Sequence, residues 1–174
     1  VLLRNISVTT PSKTGIVADM LFRIRNSTNV TFENLHIQGT YSDVGKYGYA
    51  FNMNNVWNHI ANNVYADAFW GVYGTNNMNN VTLTRCNINR FDIHCYGRDV
   101  VSRNCVFHDL YNQFSSVYGK IIFENCTFTN FIAYLNANSY NAFVPVDVEF
   151  VNCTFIVNKK KKITSLTKIY GLTD

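Results

Sequence analysis

A short segment of this chain places four polar residues with catalytic potential at alternate positions. Those residues are Arg90, Asp92, His94 and Tyr96, and the residues between them are Phe91, Ile93 and Cys95. Alternate side chains of a β-strand share one face and lie about 7 Å apart, so the pattern predicts one outward row of polar groups. An Arg side chain can pair with a carboxylate, and a His or Asp side chain can transfer protons. The row therefore predicts a site for an acidic sugar.

Three segments that end in Tyr-Gly predict an aromatic platform beside this row. They are Gly71–Gly74, His94–Gly97 and Ser116–Gly119. If the segments stack with their endings aligned, their three Tyr residues lie over one another on the outer face. The same alignment places Gly71 and Ser116 on either side of His94, where small residues leave room around the imidazole. Stacked Tyr rings could pack against pyranose rings.

The segments that flank the row predict further substrate contacts. Asp67 and Asp109 should lie on either side of Arg90 when the preceding segments are aligned in the same way. Residues 109–113 carry three more positions than the preceding repeat and could form one wall of a groove. The candidate catalytic residues are Asp92, His94, Arg90 and Tyr96, and the candidate substrate-binding residues are Tyr73, Tyr118, Arg98, Asp109, Tyr111 and Gln113.

A purely structural interpretation competes with this site. An Arg between two Asp residues on adjacent strands is a charge ladder that satisfies itself, and a Tyr stack is ordinary packing between strands. Asp92 and His94 have no obvious stacked partner in the sequence, which favours a functional role for them. The three isolated histidines, His36, His59 and His108, are expected to be structural.

A repeated motif determines where these residues lie. The pattern V-x-F-x-N-C-x-F has period 2, which is typical of a strand with one buried face. Seven copies are centred on Asn5, Asn34, Asn63, Arg85, Asn104, Asn125 and Asn152, at successive steps of 29, 29, 22, 19, 21 and 27 residues. A short strand repeated every 20–30 residues or so predicts a parallel β-solenoid of about seven coils.

A second recurring strand precedes most copies of the first, and Asn or Gly residues form the corners because they tolerate positive φ. The predicted coils cover residues 1–28, 29–56, 57–79, 80–99, 100–119 and 120–146, and a seventh begins near Asp147. The whole chain, 1–174, is interpreted as one domain. Because Val1 begins directly in a repeat, we expect the chain to be a fragment of a longer protein.

Composition excludes several classes of function. Aromatic residues are frequent (15%), charged residues are scarce (15%) and the net charge is only +4, so neither a basic nucleic-acid interface nor a disordered chain is predicted. No apolar run approaches the length of a membrane span. The cysteines lack zinc-type spacing, so four of them are expected to be buried free thiols stacked along the core. No cofactor is predicted, and calcium is left open.

The repeat with its Asn corners resembles the right-handed parallel β-helix of the pectin-lyase-like superfamily. Residues 70–76 followed by 90–94 also resemble bacterial secreted β-helix proteins of the Bacteroides type. The resemblance implies a secreted or cell-surface protein whose partner is a polysaccharide. The paired Asp residues and Gly-His-Gly of polygalacturonases are absent, and so is the acidic cluster of calcium-dependent pectate lyases.

Two functional hypotheses follow from the residues and the resemblance. The first is lyase-type cleavage of an acidic glycan, or glycoside hydrolysis, in which His94 or Tyr96 abstracts the proton, Arg90 or Arg98 neutralises the carboxylate, and Asp92 orients His94. The second is a non-catalytic glycan-binding surface, as in an adhesin or a phage tailspike; a purely structural solenoid segment is a third. Exposed coil ends would bind a flanking domain or a second copy of the chain.

Overall fold

All regular structure in the described residues is β-strand. The computed structural model describes residues 1–9, 20–40, 49–68, 71–89, 91–94, 98–115, 118–136, 146–156 and 167–170. The strands are β1 Leu2–Thr9, β2 Met20–Thr40, β3 Tyr49–Ala68, β4 Gly71–Thr84, β5 Asn87–Asn89, β6 Phe91–His94, β7 Arg98–Arg103, β8 Val106–Ser115, β9 Tyr118–Glu124, β10 Thr127–Asn136, β11 Val146–Val151, β12 Thr154–Ile156 and β13 Thr167–Tyr170. Within these ranges no helix is long and apolar enough to cross a membrane.

The strands form one parallel sheet that curls through 280°. Each strand pairs with the strand one repeat further along the chain: Leu3 lies opposite Phe32, and Leu83 lies opposite Ser102. This arrangement confirms the predicted all-β, parallel, solenoid-like architecture. The long strands β2 and β3 bend at the corners of the solenoid and contribute to more than one of its sides.

The polar residue at the centre of each repeat forms a corner. All seven of these residues adopt left-handed backbone conformations, with φ of 56° at Asn5, 53° at Asn34, 54° at Asn63, 53° at Arg85, 53° at Asn104, 53° at Asn125 and 51° at Asn152. Asn is enriched in the left-handed region of φ/ψ space because its short polar side chain tolerates this conformation better than the side chains of most other residues. The prediction of Asn corners is therefore confirmed.

Two further series of corners follow the same rule. One contains Asn26, Asn55 and Asn77, and the other contains Asn29, Asn58, Asn80, Asp99 and Gly119, all with positive φ. Side-chain amides connect neighbouring corners: Asn34 Nδ2 donates to Asn5 Oδ1 over 3.1 Å, and Asn63 Nδ2 donates to Asn34 Oδ1 over 2.9 Å. These bonds join the corner side chains of neighbouring coils into a ladder along the solenoid.

Aromatic side chains fill the interior of the later coils. Phe107 stacks on Phe128 with ring centroids 5.2 Å apart, and Phe128 stacks on Phe155 at 4.9 Å. Phe123 packs edge-on against Phe128 at 5.2 Å and is buried. Burying one such side chain stabilises the fold by roughly 1.5–3 kcal/mol, so the inward rows hold the coils together.

The described cysteines form the expected ladder of free thiols. Cys86, Cys105 and Cys126 are buried, whereas Cys153 is partly exposed. The contact with the Cys105 thiol, together with burial, raises the pKa of Cys126. Its thiol donates to backbone oxygens, Glu124 O among them at 3.4 Å. Cys126 therefore behaves as a small buried group rather than as a nucleophile.

Candidate functional site

The predicted site falls on three adjacent strands, β4, β6 and β8. Asp92 in β6 lies opposite Gly74 in β4 and opposite Gln113 in β8. His94 lies opposite Asn76. The backbone therefore brings together Asp92 and Gln113, which the sequence suggested as separate catalytic and binding residues. Arg90 and Tyr96 lie outside the described residues.

The register of β4 differs from the register that the Tyr-Gly endings predicted. Tyr73 lies opposite Phe91 in β6 and Phe51 in β3, so it is not aligned through the Tyr-Gly endings. Gly71 lies opposite Tyr49, and Asn76 rather than Gly71 flanks His94. The observed pairing is offset from the predicted one by five positions, an odd number, so the two alignments place opposite faces of β6 against the same face of β4.

Tyr73 is a core residue, so the prediction of an exposed sugar platform is wrong for this side chain. It is fully buried, and its ring centroid lies 5.2 Å from that of Phe51. Burial raises the pKa of Tyr73 well above its ordinary value. The Tyr73 hydroxyl lies 3.1 Å from His59 Nε2, also in the core. The Tyr of the Tyr-Gly pattern was predicted to face outward, but at Tyr73 it faces the core.

His59 is structural, as the sequence predicted, but its partner was missed. The His59 ring lies 3.0 Å from Val30 O through Nδ1 and 3.1 Å from the Tyr73 hydroxyl through Nε2. Burial lowers the pKa of His59 to about 4, so the ring is neutral near pH 7. The neutral ring can donate from Nδ1 to Val30 and accept at Nε2 from Tyr73. His59 is therefore occupied in the core and contributes nothing to an outer site.

Two register rows of mostly polar residues cross the strands on the side of the solenoid that carries Asp92 and His94. We call them the polar rows. The first contains Arg23, Asn52, Gly74, Asp92, Gln113, Tyr134 and Lys168, and the second contains Arg25, Asn54, Asn76 and His94. Arg23 and Arg25 are exposed. With neighbouring strands about 4.8 Å apart, the first row extends over roughly 29 Å along the solenoid axis.

Two amides in the polar rows hold one another in place. Asn54 Nδ2 donates to Asn52 Oδ1 over 2.7 Å, and both side chains are half-buried. Such a fixed amide pair loses little side-chain entropy when a ligand binds. The rows are therefore long and mostly polar, and they contain at least this one fixed amide pair.

The remaining substrate-binding candidates lie on both sides of these rows. Arg98 is exposed, with Nε 3.3 Å from Asp99 Oδ2, and lies opposite Tyr118. Asp109 and Tyr111 belong to β8, which pairs with β10 at a constant offset. The offset between paired residues grows from 19 positions at Asn89–His108 to 21 at Asp92–Gln113, so this part of the coil has two extra residues rather than three.

A metal centre is not evident in the part of the chain that the structure describes. Those residues contain no group of three or more His, Cys, Asp or Glu side chains that could hold a metal ion. The half-buried Asp67 lies opposite Gln38, and Ala66, the residue before it, lies opposite Ile88.

An exposed tryptophan was missed by the sequence reasoning. Trp57 retains 41% of its accessible surface although most Trp side chains in folded proteins are largely buried. Two residues, Val56 and Trp57, lie between the corner residues Asn55 and Asn58, and Trp57 is the one that faces outward. The corners on either side fix which of these two positions faces the core. The alternation of an inward Val56 and an outward Trp57 could therefore have revealed the exposed ring.

No protein-family model matches this chain, and no curated protein matches it significantly. The pairing of the parallel strands determines which candidate residues lie together. That geometry supplies three useful elements: the Asp92–Gln113 pair, His94 beside Asn76, and two rows that run along the solenoid axis.

Proposed function

We propose that this chain is part of a right-handed parallel β-helix of the pectin-lyase-like type that binds and cleaves an acidic polysaccharide. The observation that supports this proposal is the register of β4, β6 and β8. It aligns Asp92 with Gln113 and His94 with Asn76 within rows that extend along the solenoid. A polysaccharide laid along the rows would contact several coils at once. The exposed Arg23 and Arg25 favour a ligand that carries carboxylates.

The proposed reaction is a β-elimination. His94 or Tyr96 removes the proton from the carbon next to the uronate carboxylate, and Arg90 pairs with that carboxylate and stabilises the charge that develops. Arg98, the other arginine that the sequence suggested for this role, pairs with Asn79 beyond the Asn77 corner and so lies apart from Asp92 and His94. The electron pair of the broken C–H bond forms a carbon–carbon double bond as the glycosidic C–O bond breaks. The leaving oxygen takes up a proton, and Asp92 orients the His94 ring.

A second candidate function is glycan binding without cleavage, as in an adhesin or a tailspike module. The amide pair Asn52–Asn54 supports it, because a fixed pair of amides offers donors and acceptors to sugar hydroxyls without any need for an acid or a base. The rows extend well beyond Asp92 and His94, which would suit a binding surface at least as well as a cleavage site.

A cleavage assay distinguishes the two candidates. Elimination creates an unsaturated uronate that absorbs ultraviolet light, so the chain is incubated with polygalacturonate, alginate and chondroitin sulfate. We expect absorbance to rise with one of them, and the His94→Ala variant to lose the activity. The control is His36→Ala, because His36 is exposed and stacks on Tyr65 at 4.7 Å on another side of the solenoid.

The outcomes separate cleavage from binding. Activity that depends on His94 and not on His36 supports the lyase. Binding of the same polymers on a glycan array without any absorbance change supports the second candidate and contradicts the lyase. If the protein neither binds nor cleaves any of the acidic and neutral polysaccharides tested, both functions are contradicted.

A further inference from the structure

Trp57 belongs to a row of exposed residues that the proposed cleavage site does not use. It lies opposite Thr28 on one side and Asn79 on the other, and Asn79 lies opposite Arg98. Thr28, Trp57 and Arg98 are exposed, and Asn79 is half-buried. We call these four residues the Trp57 strip. It follows the solenoid axis between two series of corners, Asn55–Asn77 and Asn58–Asn80.

The strip combines three kinds of group that recognise sugars. The Trp57 ring offers a large apolar face on a backbone that the two corners hold rigid. The Asn79 amide donates from Nδ2 to Asn77 Oδ1 over 3.0 Å, which leaves its own Oδ1 to accept from a hydroxyl group. Thr28 adds a hydroxyl on the other side of the ring. A pyranose has apolar C–H faces and polar edges, so it complements this order of groups.

Arg98 gives the strip a charge preference. Its side chain is 59% exposed, and its Nε lies 3.3 Å from Asp99 Oδ2. The two terminal nitrogens of the guanidinium can therefore bind a carboxylate as a fork. Asp99 is engaged elsewhere as well, because its Oδ1 accepts from the Lys120 backbone N–H at 3.2 Å. A ligand group that complements the charge at this end of the strip is therefore an anion.

The spacing of the strip matches a ligand longer than one sugar. Trp57 and Arg98 are two strand spacings apart, which is roughly 10 Å at about 4.8 Å per strand. A sugar stacked on Trp57 would therefore place a neighbouring unit of the same chain near Arg98. Asn79 lies between the two positions and could bind hydroxyl groups of either unit.

We propose that the Trp57 strip is a second glycan-binding site, which stacks a pyranose on Trp57 and pairs the carboxylate of a nearby uronate with Arg98. The acidic ligand class rests on the proposed function, but the site itself does not. The strip lies on different strand segments from Asp92 and His94, on the far side of the Asn26–Asn55–Asn77 corners. It would hold a polymer on the solenoid without taking part in its cleavage.

Fluorescence of Trp57 tests the proposal directly. The chain contains two tryptophans, so a Trp70→Phe background leaves Trp57 as the only indole. We expect oligogalacturonates or alginate oligomers to change the emission of Trp57 and to protect it from quenching by acrylamide. Trp57→Ala should weaken binding of these oligomers about tenfold or more by calorimetry, whereas Ile60→Ala should leave it unchanged. Ile60 is a matched control because it is exposed (49%) and apolar but lies beyond the Asn58 corner.

The Arg98→Gln variant tests the charge preference. It should bind neutral cello-oligosaccharides as the parent does and lose about tenfold in affinity for acidic oligomers of equal length. Its binding should also depend less on salt concentration. Equal loss for neutral and acidic ligands would contradict the role given to Arg98.

The results also separate this site from the cleavage site. Retained product formation on short oligomers by Trp57→Ala, with weaker binding of long polymers, supports a separate binding strip. Unchanged affinity of Trp57→Ala for every glycan, while His94→Ala still abolishes cleavage, overturns the strip and leaves the proposed function intact. Glycan binding that depends on Trp57 in a protein that cleaves nothing would contradict the lyase and support the strip.

Discussion

The Tyr73 hydroxyl and His59 Nε2 lie 3.1 Å apart inside the solenoid, where neither side chain is exposed to solvent. This polar pair replaces an apolar one. The coils on either side have Val30 and Val81 in register with His59, and Phe51 lies in register with Tyr73. One coil therefore carries a hydrogen-bonded polar pair at positions where the neighbouring coils carry apolar side chains. The fold depends on keeping the His59 imidazole neutral.

Acid should destabilise the protein through His59. Burial lowers the pKa of folded His59 to about 4, against 6.5 when it is unfolded. Between these values the unfolded state binds more protons than the folded state. The contribution of His59 to the free energy of unfolding is therefore fully present above pH 6.5 and is lost as the pH falls towards 4. The shift corresponds to about 3 kcal/mol. Urea unfolding at pH 7.5, 5.5 and 4.5 measures it, and a His59→Val, Tyr73→Phe double variant should lose this part of the pH dependence.

The same two substitutions should show strong coupling near pH 7. His59→Val alone removes the partner of the Tyr73 hydroxyl, and Tyr73→Phe alone removes the donor to His59 Nε2; each should cost about 1–3 kcal/mol because a buried polar group loses a bond. The double variant restores the apolar pair of the neighbouring coils and should be less destabilised than the sum. A double-mutant cycle in urea gives the coupling energy. Additive effects would show that the 3.1 Å contact contributes nothing.

The corner at Asn63 should be sensitive to side-chain type. Its φ is 54°, and Nδ2 donates to Asn34 Oδ1 over 2.9 Å. Asn63→Ala should cost about 2–3 kcal/mol, because the left-handed conformation costs roughly 1–2 kcal/mol and the amide bond contributes about 1 kcal/mol. Asn63→Gly keeps the backbone conformation and should cost less. If thermal unfolding shows Gly to be as harmful as Ala, backbone strain is not the cause.

The coils and corners could be predicted from the sequence because they depend on short-range chemistry repeated many times. Asn at a positive φ with a Cys one position later recurs at Asn104, Asn125 and Asn152. Stacking of equivalent residues then follows from the parallel pairing. Even Arg85, which departs from the motif, keeps the corner conformation with a φ of 53°. The register of the coils forces that conformation on it.

The outer rows of the site could not be predicted in the same way. The Tyr-Gly endings suggested one register for β4 and β6, but the strands pair in another, with Tyr73 opposite Phe91. Sequence similarity between short segments does not show which of two alternate positions faces the core. Trp57 differs from these residues, because its outward position follows from its alternation with Val56 between the Asn55 and Asn58 corners.

Removing the Ser102 hydroxyl should stabilise the protein. Ser102 is fully buried in register with Leu83 and Phe123, and its Oγ has no hydrogen-bond partner within the described part of the chain. A buried hydroxyl without a partner costs about 1–3 kcal/mol, so Ser102→Ala should raise the free energy of unfolding by about 1 kcal/mol. The control is Ser27→Ala, since Ser27 Oγ donates to Arg25 O over 2.9 Å and its loss should lower stability slightly. Both are measured by the urea midpoint at pH 7.5, where His59 is neutral. A destabilised Ser102→Ala variant would mean that the hydroxyl does bind a partner, such as a buried water molecule, in solution.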